Sequence, residues 1–226
     1  LQKGVEEGKW VFIRTIEGGA ALGGDLEKIV HFAKKKIKMM TLTWNGENEL
    51  GSGCAGTGGL TGFGKEAVKL MEENGIIVDC SHLNDAGFED LLNITKRPFV
   101  ASHSNLRSCC EVPRNLREDQ FVELVRRGGL CGINLYSRFL SVPDQKGEGE
   151  RELLFRHIYR MLELGGEDCI AWGTDLDGQI TCDPSLGSPF GAASFGTYLA
   201  ERGIPEGAVK KFCFENAYRF FQSYMR

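Results

Sequence analysis

Several features that would assign this 226-residue sequence to a particular class are missing from it. It has no apolar run near the roughly 18 to 20 residues that span a bilayer, and its first residues are too polar for a secretion signal. Its 27 Lys and Arg are balanced by 31 Asp and Glu, and no basic cluster of the kind that binds phosphate backbones is present. The sequence therefore predicts a cytoplasmic protein with no transmembrane segment and no nucleic-acid partner.

The eight cysteines do not form a recognisable pattern. No two have the CxxC spacing of a metal or redox motif, and several lie inside apolar runs, where cysteine behaves as a small hydrophobic residue. We expect reduced thiols.

Short β-branched or apolar runs alternate with helical patterns along the chain, without an internal linker. This alternation is typical of an α/β fold with a parallel sheet covered by helices. Six strands are predicted, over residues 11–16, 39–43, 76–78, 99–101, 131–135 and 169–172. Helices are predicted over 26–36, from Phe63 to Gly75 along one apolar stripe, and over 86–95, 121–125, 151–164 and 205–223. Asp25 is predicted to cap the first of these helices, and Asn84 or Asp85 the third. Asn115 and Glu118 are predicted to form a capping box before the fourth.

Reactive or aromatic side chains follow five of the six predicted strands. In a parallel (β/α) barrel the C-terminal strand ends converge on one face, so residues far apart in sequence meet there. Six strands do not close an eight-stranded barrel, and the first begins near residue 10, so the first one or two β/α units are expected to be missing upstream. The residues concerned are Glu17, Trp44 with Asn45, Asp79 to His82, Ser102 to Ser104, and Asp175 with Asp177.

Two of the four histidines, His82 and His103, follow consecutive predicted strands. Imidazole and carboxylate are standard zinc ligands, and one carboxylate can bridge two ions. Glu17, His82 and His103 are therefore a candidate half-site of a two-metal centre. Each residue alone also fits an ordinary surface role, whereas His31 and His157 lie within helical patterns and are interpreted as structural.

Asp175 and Arg114 are candidates for acid/base chemistry and for substrate binding. A carboxylate near a metal-bound water can act as general base and then as acid to a leaving amine, which suits Asp175. The guanidinium fork of Arg114 can clamp a substrate carboxylate, although an exposed Arg without that role is the common alternative.

Residues Gly51 to Gly56 fit the pattern GxGxxG, and Asp79 follows 23 residues later. In a dinucleotide-binding unit the glycines turn directly from a strand into a helix, whereas here they come well after Thr43 and before further glycines. A flexible loop over the pocket is the favoured interpretation, and a nucleotide-binding module is the alternative.

At these residues the chain resembles the membrane dipeptidase (renal dipeptidase) family, peptidase family M19, in its bacterial-type branch. The matching segments run in family order over nearly the whole chain. They are Ile16-Glu-Gly-Gly19, Met40-Thr-Leu-Thr-Trp-Asn45, Gly59-Leu-Thr-Gly-Phe-Gly64, Ile77-Val-Asp-Cys-Ser-His82, Pro98-Phe-Val-Ala-Ser-His-Ser104, Pro113-Arg-Asn-Leu116, Gly128-Gly129 with Gly132-Ile-Asn-Leu135, and Gly173-Thr-Asp-Leu-Asp-Gly178.

The resemblance implies a TIM-like (β/α)8 barrel of the metal-dependent hydrolase type that hydrolyses dipeptides, including those with a C-terminal D-residue, through a metal-bridging hydroxide. Glu17 is then the carboxylate that bridges two Zn2+ ions, with His82 and His103 as the other ligands of the second ion. Asp175 handles the proton of the bridging water, and Arg114 holds the substrate's C-terminal carboxylate. Trp44 and Asn45 are implied to contact substrate, and a homodimer is implied as well.

Two departures from the family pattern bear on activity. The sequence has no His-x-Asp motif, which in the family supplies two ligands of the first zinc, and Trp44 stands where mammalian-type members have a substrate-contacting His. We therefore expect residues 1–226 to form a single, N-terminally incomplete barrel domain with one visible half-site. The alternatives are another amidohydrolase-like metal-dependent hydrolase, or a truncated or non-catalytic paralogue.

Overall fold

The computed structural model of the chain describes residues 1–141 and 149–224. The chain divides into two compact units, which are described separately below. The first comprises residues 1–100 and the C-terminal residues from Arg219, and the second comprises residues 101–218.

The first unit is built on a parallel ladder flanked by helices. Its strand β1 pairs with β2, and β2 pairs with β5, all in parallel, while Asp79 of β5 pairs with Val100 at the start of β6. Its elements in chain order are α1 (Gln2–Glu6), β1 (Arg14–Ile16), a 3-10 turn (Gly19–Leu22), α2 (Glu27–Lys34), β2 (Ile37–Thr41), β3 (Glu47–Asn48), β4 (Gly51–Ser52), α3 (Gly62–Glu73), β5 (Ile77–Asp79), α4 (Asp85–Ile94) and β6 (Val100–Ala101).

In the second unit β7 and β8 pair in parallel, with Cys131 opposite Ile170 and Ile133 opposite Trp172. All four residues of β7 are buried, as expected for a parallel strand covered on both faces. The elements are α5 (Glu118–Arg126), β7 (Leu130–Ile133), α6 (Ser137–Leu140), α7 (Glu150–Glu163), a 3-10 turn (Gly166–Asp168), β8 (Ile170–Trp172), α8 (Pro189–Glu201), α9 (Glu206–Lys210), a π-helical segment (Lys211–Glu215) and α10 (Asn216–Tyr224).

The α/β class and all six predicted strands are confirmed, although each strand is shorter than or offset from its apolar run. Some elements of the structure have no counterpart among the predicted strands and helices. Strands β3 and β4 form an antiparallel hairpin in the glycine-rich segment, and α8 begins at Pro189. The Ser188 hydroxyl accepts a hydrogen bond from the Gly191 N–H, and Pro at the first helical position is preorganised for a helix.

The predicted capping box of Asn115 and Glu118 is wrong. Helix α5 begins at Glu118, and the Gln120 side chain accepts from the Arg117 N–H at 2.9 Å. The Asn115 amide instead donates to the Cys110 and Phe139 carbonyls, at 2.9 and 3.0 Å. A buried Asn near a helix start can satisfy loop carbonyls as well as a helix end, and the sequence pattern does not distinguish these uses. By contrast, Asn84 caps α4 as predicted, through the Gly87 N–H.

Among the described residues, no helix has both the length and the apolar character needed to cross a membrane. All eight cysteines lie within these residues, and none of them is joined to another by a disulfide in the structure.

Helix α3 packs closely on the preceding loop at Gly64. A Cβ added there would lie 1.9 Å from the Leu50 carbonyl oxygen, whereas one added at Gly62, two residues earlier, meets nothing within 4 Å. We expect Gly64→Ala to lower the free energy of unfolding by about 1 to 3 kcal/mol, because the helix must move away from the loop. Gly62→Ala is the matched control and should be neutral or stabilising by up to about 1 kcal/mol, since Ala favours helix. Urea unfolding checks both, and equal effects would contradict the close packing at Gly64.

Candidate metal centre

His82 is held on both sides of its ring. It follows β5 and is 7% exposed, and its Nε2 lies 3.0 Å from the Glu17 Oε1. Its Nδ1 lies 2.8 Å from the Asn45 Oδ1. Its backbone has a φ of 70°, the left-handed conformation that non-glycine residues avoid. Such strain persists only where the surroundings enforce it, and it concentrates at functional sites.

Glu17 lies directly after β1, whose last residue, Ile16, is opposite Met40 of β2. Its side chain is 49% exposed, and its carboxylate reaches across to the His82 ring. The structure thus brings together two of the three predicted metal ligands, one carboxylate and one imidazole. This donor pair is the kind that binds zinc, so it fits a divalent metal.

The two other site residues that follow β2 also surround His82. The indole of Trp44 is 59% exposed, and its ring centroid lies 6.0 Å from that of His82. Asn45 uses its amide oxygen on His82 Nδ1. The prediction that both contact substrate stays a prediction.

In the second unit, His103 and Arg114 lie side by side. His103 is buried, and its Nδ1 is 2.7 Å from the Ser102 Oγ. Arg114 donates from Nη2 to the His103 carbonyl at 2.8 Å and from Nη1 to the Ser104 Oγ at 2.9 Å. Arg114 is only 5% exposed, so the alternative of an ordinary surface Arg is excluded. A buried guanidinium in this position both carries a fixed charge and holds the segment that bears His103.

Asp175 follows β8 and is paired with a residue that the sequence interpretation did not select. Its Oδ2 accepts a hydrogen bond from the Asn134 Nδ2 at 3.1 Å, and its φ of 60° is again left-handed. The Asn134 Oδ1 accepts from the Tyr136 N–H, which turns the amide NH2 toward Asp175. Asn134 lies near the end of the predicted strand 131–135, the one strand to which no reactive residue had been assigned, whereas in the structure it directly follows β7. A polar side chain near the end of that apolar run was the available signal.

The glycine-rich segment 51–56 does not form a dinucleotide-binding turn. Gly51 and Ser52 belong to the β3–β4 hairpin, and the chain makes further loop contacts before α3 begins at Gly62. Asn84 donates to the Gly56 and Gly58 carbonyls, at 3.0 and 2.7 Å, which ties this segment to the start of α4. The strand-to-helix turn that a bound pyrophosphate requires is therefore missing from this segment.

Comparison with known proteins agrees with this arrangement. The model of the membrane dipeptidase family (Peptidase family M19) matches residues 1–225. The chain belongs to the membrane dipeptidase family. It is 30% identical over 221 residues to a Klebsiella pneumoniae protein described as "Uncharacterized protein in pqqA 5'region", a match that covers 93% of this chain and 81% of that protein.

Two solved structures of metallopeptidases are similar to the chain. Dipeptidase AC, a family M19 metallopeptidase, superposes with a TM-score of 0.91 at 26% identity, over 98% of this chain and 68% of that one. A Rhodobacter sphaeroides metallopeptidase, bound to a phosphinate mimic of the dipeptide L-Ala-D-Ala, gives 0.87 at 27% identity, over 93% and 62%. The family resemblance and the fold class are confirmed, and so is the assignment to a family of metallo-dipeptidases.

Proposed function

We propose that this member of family M19 is a zinc-dependent dipeptidase whose metal is held by Glu17, His82 and His103. The observation that carries the proposal is the 3.0 Å contact of the Glu17 carboxylate with His82 Nε2, on a ring whose Nδ1 is occupied by Asn45. A metal-ligating His commonly uses its second nitrogen in this way.

The strand register supports His103 as a further ligand. Asp79 is paired with Val100, and His82 and His103 each follow their paired residue by three positions. Chain segments that leave paired parallel strands at the same level continue toward the same edge of the sheet. His103 also has Ser102 at its Nδ1, as His82 has Asn45.

Other residues of the chain would supply proton transfer and substrate binding. When bound, the metal supplies an electrophile for the peptide carbonyl and makes water more acidic. Asp175, whose Oδ2 accepts a hydrogen bond from the Asn134 amide, would hold a proton on its carboxylate and return it to the leaving amine. Arg114 would hold the free carboxylate of the dipeptide, since a guanidinium fork matches that group.

We propose dipeptides with a C-terminal D-residue among the substrates. The support is the L-Ala-D-Ala mimic bound to the Rhodobacter sphaeroides relative. A homodimer and a cytoplasmic, bacterial origin remain predictions from the sequence.

The decisive experiment measures metal content and activity on the same preparation of the full chain, purified without chelator and without a histidine tag. Bound zinc together with zinc-dependent cleavage of L-Ala-D-Ala is expected. Zinc binding without dipeptide cleavage would favour another metal-dependent hydrolase. A chain that binds no zinc would overturn the proposal in favour of a non-catalytic paralogue.

A second prediction concerns Arg114. If it holds the substrate carboxylate, Arg114→Ala should lower kcat/KM for a dipeptide by roughly 100-fold, the scale for removing one partner of a buried charge pair. The same variant should lose little on the corresponding dipeptide amide, which has no carboxylate to hold. Steady-state kinetics on both substrates tests this.

The control separates substrate binding from support of His103. Ser104→Ala removes one Arg114 hydrogen bond and leaves the charge, so it should keep the preference for a free carboxylate. Arg114→Ala could instead lose bound zinc, or its activity on the dipeptide and on the amide could fall by the same factor. Either result would contradict binding of the substrate carboxylate by Arg114 and would indicate that Arg114 acts by holding His103.

A further inference from the structure

Asn134 is a buried residue whose side-chain amide is held at both ends. It directly follows β7 and has no solvent exposure. Its Oδ1 accepts from the Tyr136 N–H at 2.6 Å. Because a backbone N–H can only donate, this contact identifies the oxygen end of the amide, and the NH2 group faces the other way. There the Asn134 Nδ2 donates to the Asp175 Oδ2 at 3.1 Å.

A second buried amide holds the backbone of Asn134. The Asn105 Oδ1 accepts from the Asn134 N–H, and the Asn105 Nδ2 donates to the Asn134 carbonyl, both at 3.0 Å. The same Nδ2 donates to the Phe139 carbonyl at 3.3 Å. Asn105 also has no solvent exposure. Its amide satisfies both backbone polar groups of Asn134, as a neighbouring strand would, and so fixes the segment that follows β7.

The segment that bears Asp175 is held at the same level of the sheet. Ile133 is opposite Trp172 in the ladder of β7 and β8, and the Gly173 N–H donates to the Ile133 carbonyl at 3.1 Å. Asp175 has a left-handed φ of 60°, which non-glycine residues rarely adopt, and its carbonyl accepts from the Gly178 N–H at 3.1 Å. Backbone hydrogen bonds therefore support both ends of the contact between the amide and the carboxylate.

The two oxygens of the Asp175 carboxylate have different surroundings. Oδ2 accepts the Asn134 hydrogen bond, whereas Oδ1 accepts no side-chain or backbone hydrogen bond from the described part of the chain. A carboxylic acid accepts at its carbonyl oxygen and donates from its hydroxyl, so the amide favours Oδ2 as the carbonyl oxygen. Oδ1 is then the oxygen that takes a proton from water. It passes that proton to the amine nitrogen as the C–N bond breaks, which regenerates the carboxylate.

We propose that Asn134 is a positioning residue for Asp175, whose Oδ2 it anchors so that Oδ1 exchanges the proton. The inference rests on the proposed function, in which Asp175 transfers that proton. Orientation matters because a misplacement of about 1 Å can lower the rate of an enzyme by roughly 100-fold. A purely structural role for Asn134 would instead lower stability and leave turnover by the folded protein unchanged.

The first test needs neither metal nor activity. In the 1H–15N spectrum of the full chain, the hydrogen bond to the carboxylate should shift an Asn134 side-chain NH2 proton downfield. Asp175→Gly removes the acceptor and tolerates the left-handed backbone, so this proton should move upfield. Asp177→Gly, at a φ of 68°, is the matched control and should leave the Asn134 signals unchanged. An Asn134 NH2 group that does not respond to Asp175→Gly, or that responds equally to both variants, overturns the proposal.

The second test is a double-mutant cycle on the zinc-loaded full chain with L-Ala-D-Ala. Asn134→Asp is nearly isosteric, so it keeps the acceptor for the Tyr136 N–H and removes the donor to Asp175. It should lower kcat by roughly 10- to 100-fold, with KM and zinc per chain unchanged. On the residual activity of Asp175→Gly, the same change should cause no further loss, because its effect passes through Asp175.

Asn216→Asp is the matched control for a buried amide. Asn216 is 2% exposed, and its Nδ2 donates to the Glu167 and Ile170 carbonyls, each at 2.8 Å. This variant should lower stability and leave kcat unchanged. If Asn134→Asp behaves in the same way, or if its loss of kcat multiplies with that of Asp175→Gly, the positioning role is wrong.

The two tests separate this inference from the proposed function. If the wild type hydrolyses no dipeptide, the proposed function fails, while the spectra still decide whether Asn134 holds Asp175. If Asn134→Asp does not fold, the comparison of Asp175→Gly with Asp177→Gly carries the test.

Discussion

Replacing Glu17 with Gln is expected to weaken zinc binding by more than roughly 100-fold and to remove dipeptide hydrolysis. The expected loss exceeds the roughly 10- to 100-fold that outer partners of a metal contribute, because Glu17 would itself be a ligand. Glu17 is half-exposed and its carboxylate contacts the His82 ring, so a neutral amide there should leave the fold intact. Zinc per chain and hydrolysis of L-Ala-D-Ala should fall together.

The control is Glu49→Gln, which removes an exposed carboxylate from the turn between β3 and β4. It should bind zinc and cleave substrate as the wild type does. In the absence of metal, both variants should have the same thermal unfolding midpoint as the wild type. A Glu17→Gln variant with wild-type zinc content would contradict the ligand role, whereas equal losses in both variants would indicate a general charge effect.

The largest expected effect on stability comes from His157, which should make the protein less stable in mild acid. His157 lies in α7 with no solvent exposure. Its Nδ1 accepts from the Leu106 N–H at 3.1 Å, and its Nε2 faces the Leu140 carbonyl at 3.3 Å. A neutral ring satisfies both contacts. Burial lowers the pKa of His157 from 6.5 to about 4, because a charged ring would lose its hydration.

The direction of the pH effect follows from proton linkage. Between pH 6.5 and about pH 4 the unfolded chain binds a proton at this His and the folded chain does not, so stability falls as the pH falls. The stabilisation that the neutral, buried His157 ring gives the folded chain is fully present above the pKa of the unfolded chain, 6.5, and is lost as the pH falls from there to about 4. It amounts to about 3 kcal/mol when the folded pKa is reached.

The measurement is urea unfolding of the wild type and His157→Gln at neutral pH and near pH 4. Gln keeps a polar side chain but does not titrate, so the variant should lose about 3 kcal/mol less than the wild type on acidification. His31→Gln changes an exposed His of α2 and should follow the wild-type pH dependence. Parallel curves for the wild type and His157→Gln would show that burial of His157 does not govern acid stability.

Secondary structure was predictable where the local hydrophobic pattern matches the way the segment is buried in the fold. Parallel strands buried on both faces appear as short apolar runs, so the run at 131–135 predicted β7 (Leu130–Ile133). Helix α8 was missed, because its Gly- and Ala-rich start carries little helical periodicity, although Ser188 and Pro189 mark its beginning. The Asn115 capping box failed because the same polar side chain satisfies carbonyls distant along the chain.

The sequence by itself determined the family, the α/β class and the residue types of the candidate site. Metal chemistry depends on a few side chains at strand ends, and strand ends can be read from the alternation of apolar runs. Only the tertiary structure decided the use of Asn45, which was predicted to contact substrate and is found on His82. The same holds for Asn134 on Asp175 and for the burial of Arg114. Side-chain hydrogen bonds join residues tens of positions apart, so their partners depend on how the strands and loops are packed.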